Sequence, residues 1–284
     1  MALVPMKELI VKAQKEHYAV GAFNCNNMEI VQAIVAAAEA ENAPVIIQAS
    51  QGAIKYAGID YIAALTRIAA NSVKIPVALH LDHGTSFEQC IQCIGNGFTS
   101  VMIDGSKLPL EGNIALTKRV IEIARILEVS VEGELGKIGG TEDDISVSEK
   151  EAFFTDPLDA ERFCKETEVD ALAIAIGTAH GQYKGIPKLD FDRLKEIVKR
   201  VSTPIVLHGS SGVPDDAIRE AVSLGVAKVN IDTNIREAFT DAARKVVTDN
   251  PKEIDPRKML GPAREAAIEV IRQKIRVFGS NGKA

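Results

Sequence analysis

Eight short runs rich in Val, Ile, Ala and Leu recur along this 284-residue chain: Ala19 to Asn24, Pro44 to Ser50, Pro76 to Asp82, Ser100 to Asp104, Ser130 to Leu135, Ala171 to Gly177, Pro204 to His208 and Lys228 to Asp232. Segments with helical period lie between them, among them Met28 to Glu41, Phe87 to Gly95, Asn113 to Leu127, Asp159 to Glu168, Phe191 to Val201 and Pro214 to Leu224. Near-continuous apolar strands alternating with amphipathic helices predict a parallel sheet covered on both faces. Eight such units in this length point to a (β/α)₈ TIM barrel of the α/β class, one domain over residues 1–284, rather than an open doubly wound sheet.

Polar groups at the run ends support closure. Asn24, Ser50, Asp82 with His83, Asp104, Glu134, His180, His208, and Asn230 with Asp232 all fall at or just past a run. In a barrel these share the C-terminal face, where active sites are built. Two segments depart from the alternation. Gly136 to Glu151, with its Gly139-Gly140-Thr141-Glu142 stretch, reads as a mobile flap after the fifth strand. Thr248 to Pro262 holds three prolines and precedes an extra C-terminal helix expected from about Ala263 to Phe278.

Composition narrows the function. The chain is 46% hydrophobic and carries 33 basic against 39 acidic residues, a net −6 without a basic run. That argues against nucleic acid and against a charged membrane surface, leaving small molecules as partners. No apolar run approaches the roughly 18 residues of a membrane span and no leader is legible, so a cytoplasmic location is expected. Cys25, Cys90, Cys93 and Cys164 form no disulfide framework; Cys90 and Cys93 read as small residues of a helix.

The chemistry concentrates in histidine. Three of the five histidines, His83, His180 and His208, occupy equivalent strand ends, and three neutral imidazoles meeting at one point make a zinc site with an open position. For any one of them the plain alternative is a hydrogen-bonded structural residue, the reading preferred for His80. Asp82, beside one presumed ligand, is placed to move a proton or to orient an imidazole. Asp104 and Glu134 are either a second cation site or solvated carboxylates of the barrel mouth. Gly209-Ser210-Ser211-Gly212 and Asn230-Ile231-Asp232-Thr233, after strands seven and eight, suit a phosphate. Lys184 offers a cation to an anionic substrate. No run has a lysine in its interior near the C-terminal end, so an imine mechanism has no obvious nucleophile.

These residues also carry a resemblance. His80-Leu81-Asp82-His83-Gly84, Ser100-Val101-Met102-Ile103-Asp104, Val131-Glu132-Gly133-Glu134, Gly177-Thr178-Ala179-His180-Gly181, Leu207-His208-Gly209-Ser210-Ser211-Gly212, Val229-Asn230-Ile231-Asp232-Thr233 and Asp255-Pro256-Arg257-Lys258 resemble the class II, zinc-dependent ketose-bisphosphate aldolases. The resemblance implies a lyase of glycolysis and gluconeogenesis that cleaves fructose 1,6-bisphosphate to glycerone phosphate and glyceraldehyde 3-phosphate, as a homodimer or homotetramer. It implies catalytic Zn²⁺ on His83, His180 and His208, an alternative or second divalent position at Asp104 and Glu134, and a Na⁺ or K⁺ near the phosphate loops. Asp82 would exchange a proton at the C4 oxygen, and Glu142 in the flap at C3. Gly181, Gly209, Ser210, Ser211, Asn230, Ile231, Asp232 and Thr233 would hold the glycerone phosphate end, with Asn24 nearby; Ser50 and Arg257 would contact the other phosphate, Arg257 from a neighbouring subunit. Tagatose 1,6-bisphosphate aldolases share the motifs, and Gly84 with Tyr183-Lys184-Gly185 favours fructose. A metal-dependent hydrolase and a non-catalytic sugar-phosphate sensor on the same barrel stand as the other readings.

Overall fold

Strand formation follows the β-branched runs, and helix starts follow side-chain caps. In the computed structural model, which describes residues 3–142, 145–147, 153–183 and 185–284, the strands are, in chain order, β1 (Val20–Asn24), β2 (Val45–Ser50), β3 (Val77–Gly84), β4 (Ser100–Ile103), β5 (Ser130–Leu135), β6 (Gly139–Glu142), β7 (Ile145–Val147), β8 (Ala171–Ile174), β9 (Ala179–His180), β10 (Ile205–Leu207) and β11 (Val226–Ile231). The expected (β/α)₈ barrel is the observed one: β1, β2, β3, β4, β5, β8, β10 and β11 pair in parallel and β11 closes onto β1. Asn27, Ser50, Ser86, Asp156, Asp190 and Asp255 each accept a backbone N–H at the start of the helix that follows them, satisfying donors a helix leaves open.

Two apolar layers hold the barrel. Outward-facing strand residues such as Ile47, Leu79, Val101, Leu172, Leu207 and Val229 pack under the surrounding helices. Inside, a smaller cluster of Val20, Ala22, Ile46, Ala78, Ala173 and Val206 meets Met6, Leu9, Ile10 and Ala13 of the N-terminal helix Met6–Glu16, which stoppers one end. Cys90 and Cys93 are buried members of the outer layer in the helix Phe87–Gly95, and burial pushes both thiols up to about 12.

Some boundaries differ from expectation for local reasons. The strand β8 stops at Ile174 rather than Gly177, because the Thr155 hydroxyl takes the N–H of Ala175 at 2.8 Å and ends the ladder. The strand β11 starts two residues early, at Val226, so Lys228 lies within it. The proline-bearing stretch does not wait until Ala263 to turn helical: one helix runs Pro256–Val277 with Pro262 inside it. Proline forfeits one helical hydrogen bond there, and burial of Ala263, Ala267, Ile271 and Ile275 outweighs the loss. A preceding helix, Thr233–Asp249, went unforeseen and packs beside it. The region read as a flap contains an antiparallel pair, β6 with β7, and β6 also pairs with β9, the strand that carries His180. Residues 143, 144 and 148–151 of that expected flap lie outside the described residues. No helix among the described residues is long and apolar enough to cross a membrane.

Candidate functional site

Consecutive residues of a strand point to opposite faces, so Asp82 and His83 should not both serve one site. The backbone resolves this at His83, which takes the left-handed conformation at φ +48°, uncommon for a residue with a side chain. Pairing with β4 slips between Leu81 and Gly84 as a consequence. The Gln51 side-chain amide donates to the His83 carbonyl at 2.6 Å. Gly84 lets β4 approach closely, since a Cβ there would sit 2.5 Å from the Met102 carbonyl oxygen. Both Asp82 and His83 end up buried at the barrel mouth.

His83, His180 and His208, from three distant parts of the chain, come together. Their ring centroids are 4.7 to 6.0 Å apart, and one nitrogen from each falls within 4.8 Å of the others. Two rings are backed by carboxylates. His83 Nδ1 lies 3.2 Å from Asp104 Oδ2, and His208 Nε2 lies 2.7 Å from Glu132 Oε1. Their remaining nitrogens, His83 Nε2 and His208 Nδ1, face each other at 2.9 Å. A carboxylate behind an imidazole whose other nitrogen aims at a shared point is the usual support of a metal-bound histidine. Burial holds His208 below the usual imidazole value, and its hydrogen bond to Glu132 opposes that only in part. The donor set therefore fits a divalent ion.

His83 also forms a second cluster with Asp104 and Glu134. Burial and the neighbouring charge of Asp104 drive the Glu134 carboxyl well above its ordinary range. Burial works against ionisation of Asp104 too, but hydrogen bonding to His83 and Ser106 prevails and keeps it low. Glu134 Oε2 is buried with no hydrogen-bond donor among the described residues. These carboxylates can hold a cation as well.

Asp82 lies in a cage of side-chain amides. Asn24 Nδ2 donates to Oδ2 at 2.8 Å, Gln48 Nε2 to the same oxygen at 3.0 Å, and Asn230 Nδ2 approaches Oδ1 at 3.3 Å. Asn230 Nδ2 is also 3.2 Å from His208 Nδ1, so it sits between the carboxylate and the imidazoles. Donors of this kind fix the orientation of the carboxylate.

Beside the histidines opens a cavity of about 190 Å³ lined by Asn24, His180, Gly181, Gly209, Ser210, Ser211, Asn230, Asp232, Thr233 and Arg236. Ile231 is buried behind it at the end of β11. The helix Thr233–Asp249 begins at its wall, and a helix N-terminus favours an anion. Ser50 pairs in register with Asp82 and caps the helix Gln51–Ala57. Arg257 is elsewhere, in the first turn of Pro256–Val277, exposed and ion-paired to Asp255. Glu142 ends β6; its side chain and all of Lys184 lie outside the described residues.

Five neighbours of the site were given no role from the sequence, Glu132, Lys228, Gln48, Gln51 and Arg236, and Tyr183 was read only as part of the stretch that favours fructose. A period-two signal was present for three of them, since Gln48 shares the barrel side of Ser50, Glu132 that of Glu134 and Lys228 that of Asn230. Gln51 and Arg236 stand in the first turns of helices that follow strand ends, and the strand period does not extend to them.

Residues 4–283 match the model of the family described as fructose-bisphosphate aldolase class-II. The fructose-bisphosphate aldolase of Thermus caldophilus is 47% identical over 308 aligned residues, covering 99% of this chain and all of that one. The sulfofructosephosphate aldolase of Alkalicoccus urumqiensis is 46% identical, covering 100% and 99%. Among solved structures, the YdjI aldolase of Escherichia coli K12 superposes with a TM-score of 0.86 at 33% identity over 99% of each chain. With similarity of this depth running from the plugging helix to the C-terminal one, the chain belongs to the class II fructose-bisphosphate aldolase family.

Proposed function

We propose that this chain cleaves fructose 1,6-bisphosphate reversibly to glycerone phosphate and glyceraldehyde 3-phosphate, with zinc as its metal, in cytoplasmic glycolysis and gluconeogenesis. The observation that supports this most directly is the facing pair of His83 Nε2 and His208 Nδ1 at 2.9 Å. Each ring has a carboxylate at its other nitrogen, and when each gives its proton to that carboxylate the two facing lone pairs are placed to hold a cation between them. His180 completes a set of three imidazoles, the donor set of a catalytic zinc with one position left open.

A divalent ion held there supplies Lewis-acid polarisation of the substrate ketone. The remaining work falls to the chain. Asp82 takes the proton from the C4 hydroxyl, and the amides of Asn24, Gln48 and Asn230 keep its carboxylate ready to accept. The C3–C4 bond then breaks, C4 to C6 depart as the aldehyde, and the electron pair stays on the three-carbon fragment. Glu142 returns a proton to C3. The C1 phosphate rests on the loops at Gly181, Gly209 to Ser211 and Asn230 to Thr233, whose backbone donors position the reacting carbons. Asp104 and Glu134 offer a second or alternative divalent position, and the phosphate loops a place for Na⁺ or K⁺.

Ser50 and Arg257 receive the second phosphate, and Lys184 offers its cation to the anionic substrate. The helix Thr233–Asp249 has 17 residues and so is about 25 Å long, and Arg257 follows its far end. Its contact with the site is therefore proposed from a neighbouring subunit of a homodimer or homotetramer.

The test is triose release from fructose 1,6-bisphosphate before and after metal removal. EDTA should abolish cleavage and zinc restore it; cleavage that persists in the metal-free protein overturns the reading. The same assay with tagatose 1,6-bisphosphate and with the sulfofructose phosphate for which the Alkalicoccus urumqiensis relative is named ranks the substrates. Faster turnover of either one overturns the choice of fructose.

A further inference from the structure

The barrel interior below the histidines holds a chain of buried charge that the proposed reaction does not use. Lys228 and Glu132 are both fully buried, and Lys228 Nζ donates to Glu132 Oε2 at 2.8 Å. The other carboxylate oxygen, Oε1, takes the Nε2 position of His208 at 2.7 Å. His80 Nε2 stands 3.6 Å from Oε2, and its Nδ1 is occupied by the Ser100 hydroxyl at 2.7 Å. Burying an ion pair costs several kcal/mol, and an apolar pair of similar volume is often as stable. Stability alone gives the fold no reason for this one.

His208 has two neutral tautomers, and the geometry gives them opposite consequences. With the proton on Nε2, the ring donates to Glu132 and leaves the Nδ1 lone pair facing the shared point. With the proton on Nδ1, the ring would donate across 2.9 Å to His83 Nε2. That bond would tie two of the three converging nitrogens to each other and leave neither for a cation. Asn230 Nδ2, 3.2 Å from His208 Nδ1, supports the lone pair there; without a carboxylate behind the ring, Nε2 loses its acceptor, and the second state, whose Nδ1 proton has His83 Nε2 as acceptor, gains population.

We infer that Glu132, held in place by Lys228, is a positioning residue that confines the His208 proton to Nε2 and so prevents His83 and His208 from hydrogen-bonding to each other in place of holding a metal. The inference rests on the reading of these histidines as ligands. Lys228 acts one step further out: it occupies Oε2, so that Oε1 alone is presented to the imidazole.

The experiment replaces the ion pair as a unit. Glu132→Leu/Lys228→Met removes both charges and leaves no buried ion alone, whereas Glu132→Gln/Lys228→Met retains a carbonyl oxygen that can accept from His208. Nitrogen-15 NMR of histidine-labelled, metal-free protein should show His208 protonated at Nε2 in the wild type and in the Gln variant, and shifted towards Nδ1 in the Leu variant. Zinc affinity, from competition with a chromogenic chelator, should fall about 10- to 100-fold in the Leu variant and largely recover in the Gln variant. Circular dichroism and thermal melts identify folded protein; if the Leu variant does not fold, the single Glu132→Gln and Lys228→Met variants carry the NMR comparison, with Lys228→Met expected to broaden or mix the tautomer signal and Glu132→Gln to preserve it. A folded Glu132→Leu/Lys228→Met variant that keeps the Nε2 tautomer and wild-type zinc affinity overturns the inference, as does a His208 signal that the single Lys228→Met change leaves untouched. A wild-type chain that binds no zinc removes the ligand reading itself, a distinct result.

Discussion

The Tyr183 hydroxyl donates to the Gly209 carbonyl at 2.7 Å while accepting the backbone N–H of Ala179 at 2.6 Å. One side chain thereby ties the residue before His180 to the residue after His208, and its ring lies against Gly212, where a Cβ would not fit. Burial pushes the phenol up to about 12, so the link persists across any working pH. Tyr183→Phe keeps the ring and loses both bonds, each worth about 1 kcal/mol. Turnover efficiency should fall about tenfold while the melting temperature moves only a few degrees; steady-state kinetics beside a thermal melt would check this, and unchanged kinetics would refute it.

Gln51 holds the left-handed turn at His83 through its 2.6 Å bond to the carbonyl, and its amide also reaches Thr85 Oγ1 at 3.0 Å. Gln51→Leu should weaken zinc binding about tenfold and lower stability by about 1 kcal/mol. Metal titration of the folded variant reads the first effect. A loss of stability with wild-type zinc affinity would mean that the bend at His83 survives without the amide.

Asp82 belongs to no metal-ligand cluster found among the described residues. Asp82→Ala should therefore retain its metal and lose turnover by about 10²- to 10⁴-fold, the usual contribution of a positioned acid or base. Metal analysis and triose release on one preparation decide this, and substantial residual cleavage would remove Asp82 from its proposed role.

A lysine-free mechanism predicts resistance to borohydride. Lys228 is buried in its ion pair with Glu132, so no imine should form with substrate. Substrate plus borohydride should leave activity within a factor of two of the control and add no mass to the chain. Covalent labelling of a lysine, detected by mass spectrometry, would contradict it.

Glu41 clamps the C-terminal helix. Its carboxylate accepts from Arg272 Nε at 2.8 Å and from Arg276 Nη2 at 2.7 Å, and its backbone carbonyl accepts from Gly282. The hydrogen bond to Arg276, opposed by burial and helped by Arg272, holds the carboxyl below its usual value. A lowered folded value means that the stabilisation is complete above the unfolded carboxylate range, about 4.3, and fades as pH falls through the folded value. Glu41→Gln should cost about 1 kcal/mol at pH 7, modest because Arg276 is half exposed and water screens the pair. Urea unfolding at pH 7 and at pH 3 should show the deficit shrinking in acid; an equal deficit at both would exclude a charge-based clamp.

The eight-strand barrel and the strand ends that carry polar groups were legible in the sequence because both follow from period: apolar runs alternate with helical stretches, and the residues at their ends must share one face once the sheet closes. Local rules could not reach the convergence of His83, His180 and His208, which depends on pairing between strands more than a hundred residues apart. They also misjudged the helix Pro256–Val277, where packing prevailed over proline, and missed Glu132 and Lys228, whose charges only the closed barrel brings together. The tertiary structure alone decided that His83 leaves the extended backbone, so that two neighbouring side chains of one strand face the same mouth. The physical reason is that period describes regular backbone, and the mouth is built where the backbone ceases to be regular.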